Sequence, residues 1–361
     1  MTDLVSLRRE LHAKAETAFE EHATAKHLEA WLAQHGLEPV ARPGKTGLLY
    51  DFGEGKTVLL RSELDALPLD EDTGAHHAAE ENHHACGHDG HMAMLAGALA
   101  KLAKDPPCRV LAFFQPAEES GEGMAACLDE LPEADLCFAF HNIPGAPLGQ
   151  VLVRQGPAAA ASVGLRLRFE GSTSHAAEPW AGHNPVPAMA ETVRLAQAAP
   201  MERLRFGDQA MVAFVEASAG GPRYGTSTGD AMLGMTLRAG TDGQLDALVD
   251  AVVAGAKARA GTDIDVSQER IEPFPATTNH DDAVAIVRRA ADAAGLDSTT
   301  PDRPFAWSED FGHLTAKVPG ALIGIGSGED QPNLHSPRYD FPDDLIDHGV
   351  RLWCAIVEAA A

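Results

Sequence analysis

The chain has 361 residues and a formal net charge of −25 at pH 7. Apolar residues make up 45% and charged residues 22% of the sequence, which is ordinary globular composition and excludes a disordered protein. The acidic balance argues against nucleic acid and anionic membranes as partners, because either would require a positive patch, and it favours small-molecule substrates. The length exceeds the size at which one hydrophobic core stops growing, so we expect two domains.

The start of the sequence and its cysteines indicate the compartment. The first residues lack the basic and apolar regions of a signal peptide, and no apolar stretch approaches the ~20 residues that span a bilayer. The five cysteines form an odd, scattered set without the spacing of a disulfide framework, which fits a reducing compartment. We therefore expect a soluble, cytoplasmic protein.

Helical and strand patterns alternate along the first part of the chain. Apolar residues at helical spacing predict an N-terminal helical region over residues 3–34. The patterns that follow are a strand over 57–61, a helix over 93–102, a strand over 109–114, a helix over 123–131 and a strand over 136–140. Strands that alternate with helices are typical of an α/β sheet.

From residue 162 the pattern changes to that of a small α+β domain. The first strand there alternates apolar residues with small or charged ones, as in a strand with one solvated face. The patterns after it are a helix over about 185–199, strands near 210–217 and 231–238, a helix over about 243–260 and a strand near 262–270. This β-α-β-β-α-β order is the split βαβ arrangement.

The chain is expected to return to the first domain near residue 273, where Pro273-Phe274-Pro275 interrupts the pattern. A strand over 321–325 and a helix over 343–360 complete that domain. We therefore predict a first domain made of residues 1–160 and 273–361, and an inserted domain made of residues 161–272.

Six histidines lie within the sixteen residues from His76 to His91. Cys86 and His88 place a thiolate and an imidazole two residues apart, and the glycine between them lets the backbone fold tightly enough for both to meet at one metal centre. The histidines at positions 76, 77, 83 and 84 are not part of this Cys-Gly-His pattern, and we expect most of them to be solvated loop residues.

Other segments place ligand-type side chains at the ends of predicted strands. Glu118 and Glu119 come just past the second predicted strand, where proline and alanine interrupt it so that the neighbouring side chains need not diverge. His141 follows the third predicted strand, and His335 lies in the loop after the strand over 321–325. Strand ends of open α/β sheets are where ligands bind. Five metal ligands with one carboxylate left as a base are what a two-metal hydrolase needs.

These segments belong to a series of short motifs along the chain. The motifs are, in order, LRRELH at 7–12, LRSELDALP at 60–68, HACGHDGH at 84–91, QPAEE at 115–119, His141, SHAAEP at 174–179, SEDF at 308–311 and HSP at 335–337. With them the sequence resembles peptidase family M20, the aminoacylase and carboxypeptidase family of dinuclear metallopeptidases. It is most similar to the branch of bacterial amidohydrolases and plant auxin-conjugate hydrolases, over nearly its full length.

The resemblance implies an α/β fold: a zinc-peptidase-like catalytic domain with a mixed sheet flanked by helices, plus an inserted α+β, ferredoxin-like domain that serves as lid and dimerisation surface. A homodimer through the lid domain follows from it. The resemblance also implies two divalent metal ions, with zinc expected and manganese, cobalt or nickel as alternatives. The implied metal ligands are Cys86 as a bridging thiolate, His88, Glu119, His141 and His335.

The resemblance also implies roles for three other side chains. Glu118 is expected to be the general base that takes a proton from the attacking water and delivers it to the leaving amine. Asp65 is expected to orient a metal ligand. His175 matches a lid histidine that helps to stabilise the tetrahedral oxyanion.

The sequence departs from the family's pattern beside the metal motifs and in the inserted domain. Glu63 stands where the amidohydrolase branch usually has aspartate, and Asn184 replaces the aspartate of an Asp-Pro pair. The usual Asn-Val-Ile-Pro after the lid's Gly-Gly is absent, and residues 220–229 read GGPRYGTSTG. In relatives that asparagine contacts the carboxylate end of the substrate, so the departures bear on substrate identity rather than on metal chemistry.

The leading interpretation is a metal-dependent amidohydrolase that cleaves N-acyl amino acids, such as N-acetyl amino acids, or related small amides. A dipeptidase or carboxypeptidase with the same site is an alternative, because the site chemistry does not distinguish an acyl amide from a peptide. A histidine-rich metal-binding protein without activity is a third interpretation. It explains residues 76–91 but leaves Glu118, Glu119, His141 and His335 unexplained.

Overall fold

Helices and strands alternate along the chain in the computed structural model, which describes residues 2–79, 81–203 and 209–361. The α-helices of these residues are α1 (Thr2–His12), α2 (His22–Ala33), α3 (His88–Leu102), α4 (Gly123–Cys127), α5 (Val186–Arg203), α6 (Asp242–Ala260), α7 (Asp281–Ala294), α8 (Gly312–Thr315) and α9 (Leu345–Ala360). Their β-strands are β1 (Leu48–Phe52), β2 (Thr57–Glu63), β3 (Arg109–Gln115), β4 (Leu136–Pro144), β5 (Val151–Leu152), β6 (Gly156–Ala159), β7 (Ala161–Glu170), β8 (Ser174–His175), β9 (Ala210–Ala219), β10 (Thr226–Ser227), β11 (Asp230–Ala239), β12 (Asp265–Phe274), β13 (Thr277–Asn279), β14 (Ser298–Thr299) and β15 (Gly320–Gly328).

The elements form two compact units. One consists of Met1–Ala158, Thr277–Pro304 and Asp310–Ala361, and the other of Ala159–Ala276 and Phe305–Glu309. The short segment Phe305–Glu309 lies outside the insertion that the sequence predicted. No helix of the described residues is both long enough and apolar enough to cross a membrane.

The first unit is built on a mixed sheet whose described strands follow the order β1-β3-β2-β4-β15-β5-β14. Strands β2, β3, β4 and β15 run parallel to one another, and they are almost entirely buried, as is typical of strands covered on both faces. On α9, Trp353 stacks on Phe140 of β4 with ring centroids 3.6 Å apart. Because the central strands are parallel, their carboxyl ends meet at one edge of the sheet.

The second unit is an antiparallel sheet with two helices. Its described strands lie in the order β12-β7-β11-β9, and α5 packs against α6. The chain order β7-α5-β9-β11-α6-β12 is the β-α-β-β-α-β order that the sequence predicted, with the short pair β8 and β10 added. The alternating apolar side chains of β7 are all buried, namely Val163, Leu165, Leu167 and Phe169.

Several element bounds differ from the prediction. The N-terminal helical region is two helices, and the turn between them places Phe19 at φ 62°. Helix α3 begins at His88 rather than near residue 93, and β4 continues to Pro144, so His141 lies within a strand instead of after it. Helix α4 ends early, and a 3-10 turn follows over Leu128–Glu130. Buried polar residues occupy the start of α3 and the end of β4, outside the apolar pattern. The sequence pattern therefore placed the start of the helix too late and the end of the strand too early.

Candidate metal centre

The predicted site residues of the first unit gather at the carboxyl edge of its sheet. Asp65 follows β2, Glu118 and Glu119 follow β3, His141 lies near the end of β4, and His335 lies in the loop after β15. Cys86 and His88 reach this edge from the start of α3. Parallel strands therefore bring together side chains that are far apart in the sequence.

The turn between Cys86 and His88 requires a glycine. Gly87 has φ +85°, and a Cβ atom at this position would lie 2.7 Å from Oδ1 of Asn142. The turn lets α3 begin at His88 itself, whose side chain is fully buried. One donor atom each from Cys86, His88 and His141 lie within 4.8 Å of one another.

The two adjacent carboxylates after β3 converge on the same nitrogen. Ala117 has φ 55°, a backbone conformation that breaks the strand, and its N–H donates to Glu21 Oε1 at 2.8 Å. After this turn, Glu118 Oε2 and Glu119 Oε1 lie 3.8 Å and 3.9 Å from His88 Nε2. The side chains therefore share one side of the chain, as they would not within a pleated strand.

His141 and His335 approach from two other directions. His141 Nε2 lies 3.4 Å from Cys86 Sγ, and its Nδ1 donates to the backbone oxygen of Asn142 at 3.0 Å. His335 has φ 60°, and its Nε2 lies 3.6 Å from Glu119 Oε2. One donor atom each from Cys86, Glu119 and His335 also lie within 4.8 Å of one another. The two triads thus share the sulfur of Cys86, which is the arrangement that a bridging thiolate needs.

Asp65 accepts hydrogen bonds from two of the candidate ligands. Its Oδ2 accepts a hydrogen bond from the Glu119 N–H at 2.9 Å, and its backbone oxygen accepts one from His88 Nδ1 at 2.9 Å. The hydrogen bond between His88 Nδ1 and the Asp65 backbone oxygen leaves Nε2 facing the carboxylates of Glu118 and Glu119. Metal-binding histidines are usually held by such a bond from their other ring nitrogen to a carbonyl or carboxylate.

The electrostatics of the cluster favour a cation. Burial lowers the pKa of His88, but the hydrogen bond that His88 donates to Asp65 and the charges of Glu63 and Glu119 outweigh it and raise the pKa to about 10. Burial and the nearby His91 hold the pKa of His141 well below its usual range, which keeps that imidazole neutral and able to ligate. His88 Nε2 is buried and makes no hydrogen bond within the described residues. A thiol, imidazoles and carboxylates around such an atom are a donor set that fits divalent metal ions.

A buried ionic network behind the cluster was not found from the sequence. Arg61 is fully buried, contacts Glu63, and donates to Asp310 Oδ1 and Gln115 Oε1 at 2.8 Å each. Glu63 in turn accepts from His91 Nδ1 at 2.9 Å. The longer side chain at position 63, noted above as a departure from the family, thus bridges Arg61 and a histidine of the metal motif.

The prediction that most of the remaining loop histidines are solvated was wrong. His77, His83 and His84 are buried, and among the four only His76 is exposed. Their segment lies against α1 and the loop around Tyr339, whose backbone oxygen accepts a hydrogen bond from His83 Nε2 at 2.8 Å. Burial lowers the pKa of His84 to about 3 and keeps it neutral.

One candidate site residue, His175, belongs to the second unit. His175 is on β8, paired with Thr226 of β10, and its side chain is exposed. Its ring Nδ1 accepts a hydrogen bond from the Ala177 N–H at 3.1 Å.

Comparison with known proteins supports a shared family. The model of the family described as Peptidase family M20/M25/M40 matches residues 59–359. An IAA-amino acid hydrolase ILR1-like 2 of Arabidopsis thaliana is 30% identical over 97% of this chain and 83% of its own length. An N-acetyldiaminopimelate deacetylase of Oenococcus oeni is 28% identical over 96% of this chain and 95% of its own length.

Another relative is much longer than this chain. A Rhodococcus jostii protein named as a glutamate–cysteine ligase is 32% identical over 98% of this chain, which spans 46% of that protein's length. The name therefore describes a protein of which this chain matches less than half.

Solved structures share the fold. A Bacillus subtilis protein described as a dinuclear metal binding peptidase from the M20 family superposes with a TM-score of 0.86, at 23% identity, over 99% of this chain and 98% of that chain. This similarity confirms the predicted α/β fold with a mixed sheet flanked by helices. Together with the family match, it means that the chain belongs to peptidase family M20/M25/M40, as its motifs predicted.

Proposed function

We propose that this chain is a metal-dependent amidohydrolase that cleaves the amide bond of N-acyl amino acids or related small amides. The observation that carries the proposal is the pair of donor triads that share Cys86, with the carboxylate of Glu118 beside them. The names of the relatives support the substrate class, since one is an IAA-amino acid hydrolase and another an N-acetyldiaminopimelate deacetylase.

The residues that would hold two divalent ions are the predicted ones. Cys86, His88, Glu119, His141 and His335 would supply the ligands, and Cys86 belongs to both donor triads. Zinc suits this mixture of thiolate, imidazole and carboxylate, and manganese, cobalt or nickel are the alternatives. Bound ions would lower the pKa of a water molecule and polarise the amide carbonyl.

The chain's own groups perform the proton transfers. In the proposed reaction the Glu118 carboxylate accepts a proton from the attacking water and passes it to the nitrogen of the leaving amine. Asp65 holds His88 and Glu119 in position through the two hydrogen bonds described above. The role of His175 in stabilising the tetrahedral oxyanion stays a prediction from the resemblance.

Metal removal tests the proposed activity directly. Protein purified without oxygen and treated with a chelator should lose hydrolysis of N-acetyl amino acids to the background rate, and added zinc or manganese should restore it, because the proposed reaction needs bound ions to lower the pKa of the attacking water. Turnover is measured with matched panels of N-acetyl amino acids and dipeptides. Faster dipeptide hydrolysis would assign a dipeptidase instead. If no amide were cleaved in any metal-loaded form, the interpretation as a metal-binding protein without activity would replace the proposal.

We further propose that the chain forms a homodimer through its second unit. Strand β9 is the last strand in the order of that sheet, and it carries the exposed side chains Met211, Phe214 and Val215, with 47%, 37% and 73% of their surface accessible. A long edge strand with apolar side chains is a surface on which another strand can pair.

Charge on this edge should separate the protomers. A Val215→Glu variant is expected to have half the mass of the parent by light scattering, since it places two carboxylates at the proposed contact. Val40→Glu, which changes an exposed valine of the first unit, is the matched control and should keep the parental mass. A monomeric parent protein would refute the proposal, and a dimeric Val215→Glu variant would move the contact to another surface.

A further inference from the structure

A second cluster of histidines and carboxylates lies beside α1, apart from the five candidate ligands described above. Its central members are His12, Glu71 and His83, from α1 and from the segment that leads into Cys86. The side chains of His12 and Glu71 have 0% and 2% of their surface accessible, and His83 is fully buried. The cluster is therefore closed off from solvent, where polar groups need partners.

The central side chains are close enough to share one ion. One donor atom each from His12, Glu71 and His83 lie within 4.8 Å of one another. His12 Nε2 lies 3.1 Å from Glu71 Oε2. His83 Nδ1 is buried and makes no hydrogen bond within the described residues, so this nitrogen has an unused lone pair or proton in a closed site.

Both histidines are held as metal ligands usually are. His12 Nδ1 contacts Asp89 Oδ2 at 2.8 Å, and His83 Nε2 donates to the backbone oxygen of Tyr339 at 2.8 Å. A histidine that ligates a metal normally donates its other ring N–H to a carboxylate or a backbone carbonyl, which sets the tautomer and the ring orientation. In each ring the opposite nitrogen is then the one that is left to bind an ion.

A further histidine, His77, lies next to His12, with ring centroids 5.1 Å apart. One donor atom each from His12, His77 and Asp340 also lie within 4.8 Å of one another, and His77 Nδ1 is buried without a hydrogen bond. Asp340 is engaged by Arg8 at 2.6 Å and by His77 Nε2 at 3.1 Å. His77 is therefore the better candidate to complete a site of imidazole nitrogens and one carboxylate.

We propose that His12, Glu71 and His83, with His77 as the fourth donor, form a divalent-cation site of the zinc type that is separate from the Cys86 centre. Imidazole and carboxylate are ligands that zinc binds in tetrahedral sites. An ion at this position would tie α1 to the segment that ends, three residues after His83, at Cys86. It would thus fix the approach to the candidate metal centre without taking part in the reaction.

A proton is the competing occupant of His12. Burial lowers the pKa of His12, but the carboxylates of Asp89 and Glu71 outweigh it and raise the pKa above its usual value. An imidazolium between two carboxylates therefore satisfies the same contacts without an ion. A bound ion and a bound proton predict different amounts of metal per chain, and this amount can be measured.

Zinc stoichiometry distinguishes the two. The full-length protein, a His83→Gln variant and a His76→Ala variant are dialysed to equilibrium against the same buffered zinc, and bound zinc per chain is measured by mass spectrometry. Glutamine keeps an N–H that can reach the Tyr339 oxygen but lacks the ring Nδ1, whereas His76 is the exposed histidine of the same segment. We expect the parent and His76→Ala to bind one more zinc ion per chain than His83→Gln.

Equal zinc content in the parent and His83→Gln would overturn the proposal in favour of a protonated His12. If circular dichroism shows that His83→Gln is unfolded, Glu71→Gln replaces it, with the same expected loss of one ion and the same refuting result. Because the result is a difference between variants that share the Cys86 centre, it does not depend on how many ions that centre binds. Equal zinc content would therefore refute the second cation site alone, whereas a failed amidohydrolase assay would refute the proposed function alone.

Discussion

Replacing Glu118 by glutamine should lower kcat for amide hydrolysis by about 10²- to 10⁴-fold, the usual contribution of a general base. Glutamine preserves the size of the side chain and its place 3.8 Å from His88, but it cannot accept a proton from water. Steady-state rates and bound metal are both measured. Metal content should equal that of the parent, because Glu118 is proposed as a base and not as a ligand.

The neighbouring segment offers a matched control. Glu122 is an exposed glutamate four residues further along, and Glu122→Gln should leave kcat unchanged. A Glu118→Gln variant with parental kcat at full metal content would remove Glu118 as the base. A variant that lost its metal would instead make Glu118 a ligand.

Replacing Arg61 by methionine should reduce the free energy of unfolding by about 3–5 kcal/mol, the usual cost of removing one partner of a buried ion pair. The guanidinium is fully buried and contacts the carboxylates of Glu63 and Asp310. Methionine fills similar space but removes the guanidinium charge that faces both carboxylates. Chemical denaturation followed by circular dichroism measures the loss.

An exposed pair serves as the control for this variant. Arg270 lies 2.9 Å from Asp246 on the surface of the second unit, and Arg270→Met should cost about 0–1 kcal/mol because solvent screens the pair. Similar losses in the two variants would contradict the argument from burial.

The pH dependence of the Arg61 effect has a definite sign. Burial raises the pKa of Glu63, but the charge of Arg61 outweighs it and holds the pKa well below its usual range. The stabilisation is therefore complete above the pKa of glutamate in the unfolded chain, about 4.3, and is lost as the pH falls below it. The difference between parent and variant should shrink in that acidic range.

Much of the fold could be predicted because its signals are local. The alternation of apolar residues along β7 identified a strand with one covered face, and the order of elements identified the second unit. The cluster at the sheet edge was also predictable, because Cys86, Glu118 and His141 each lie within a few residues of the end of a helix or strand. The apolar pattern locates the ends of the elements, and the geometry of a parallel sheet brings the carboxyl ends of its strands to one edge.

The buried polar groups could not be predicted in the same way. Arg61 and Asp310 are 249 positions apart, and no period in the sequence connects them. His83 lies in a segment without helix or strand, so nothing in its neighbours indicated that Tyr339 would cover it. Burial of such residues depends on contacts between distant segments, which sequence periodicity does not record.

The central pairing of β4 with β15, where Cys137 lies opposite Gly320, has a consequence for synthesis on the ribosome. Strand β4 emerges early and lacks one neighbour until β15 has been made. The strands and helices of the second unit, by contrast, follow one another within Ala159–Ala276. Since domains fold as units while the chain grows, the second unit can form its core first, and the candidate ligand set, which needs His335, is assembled last.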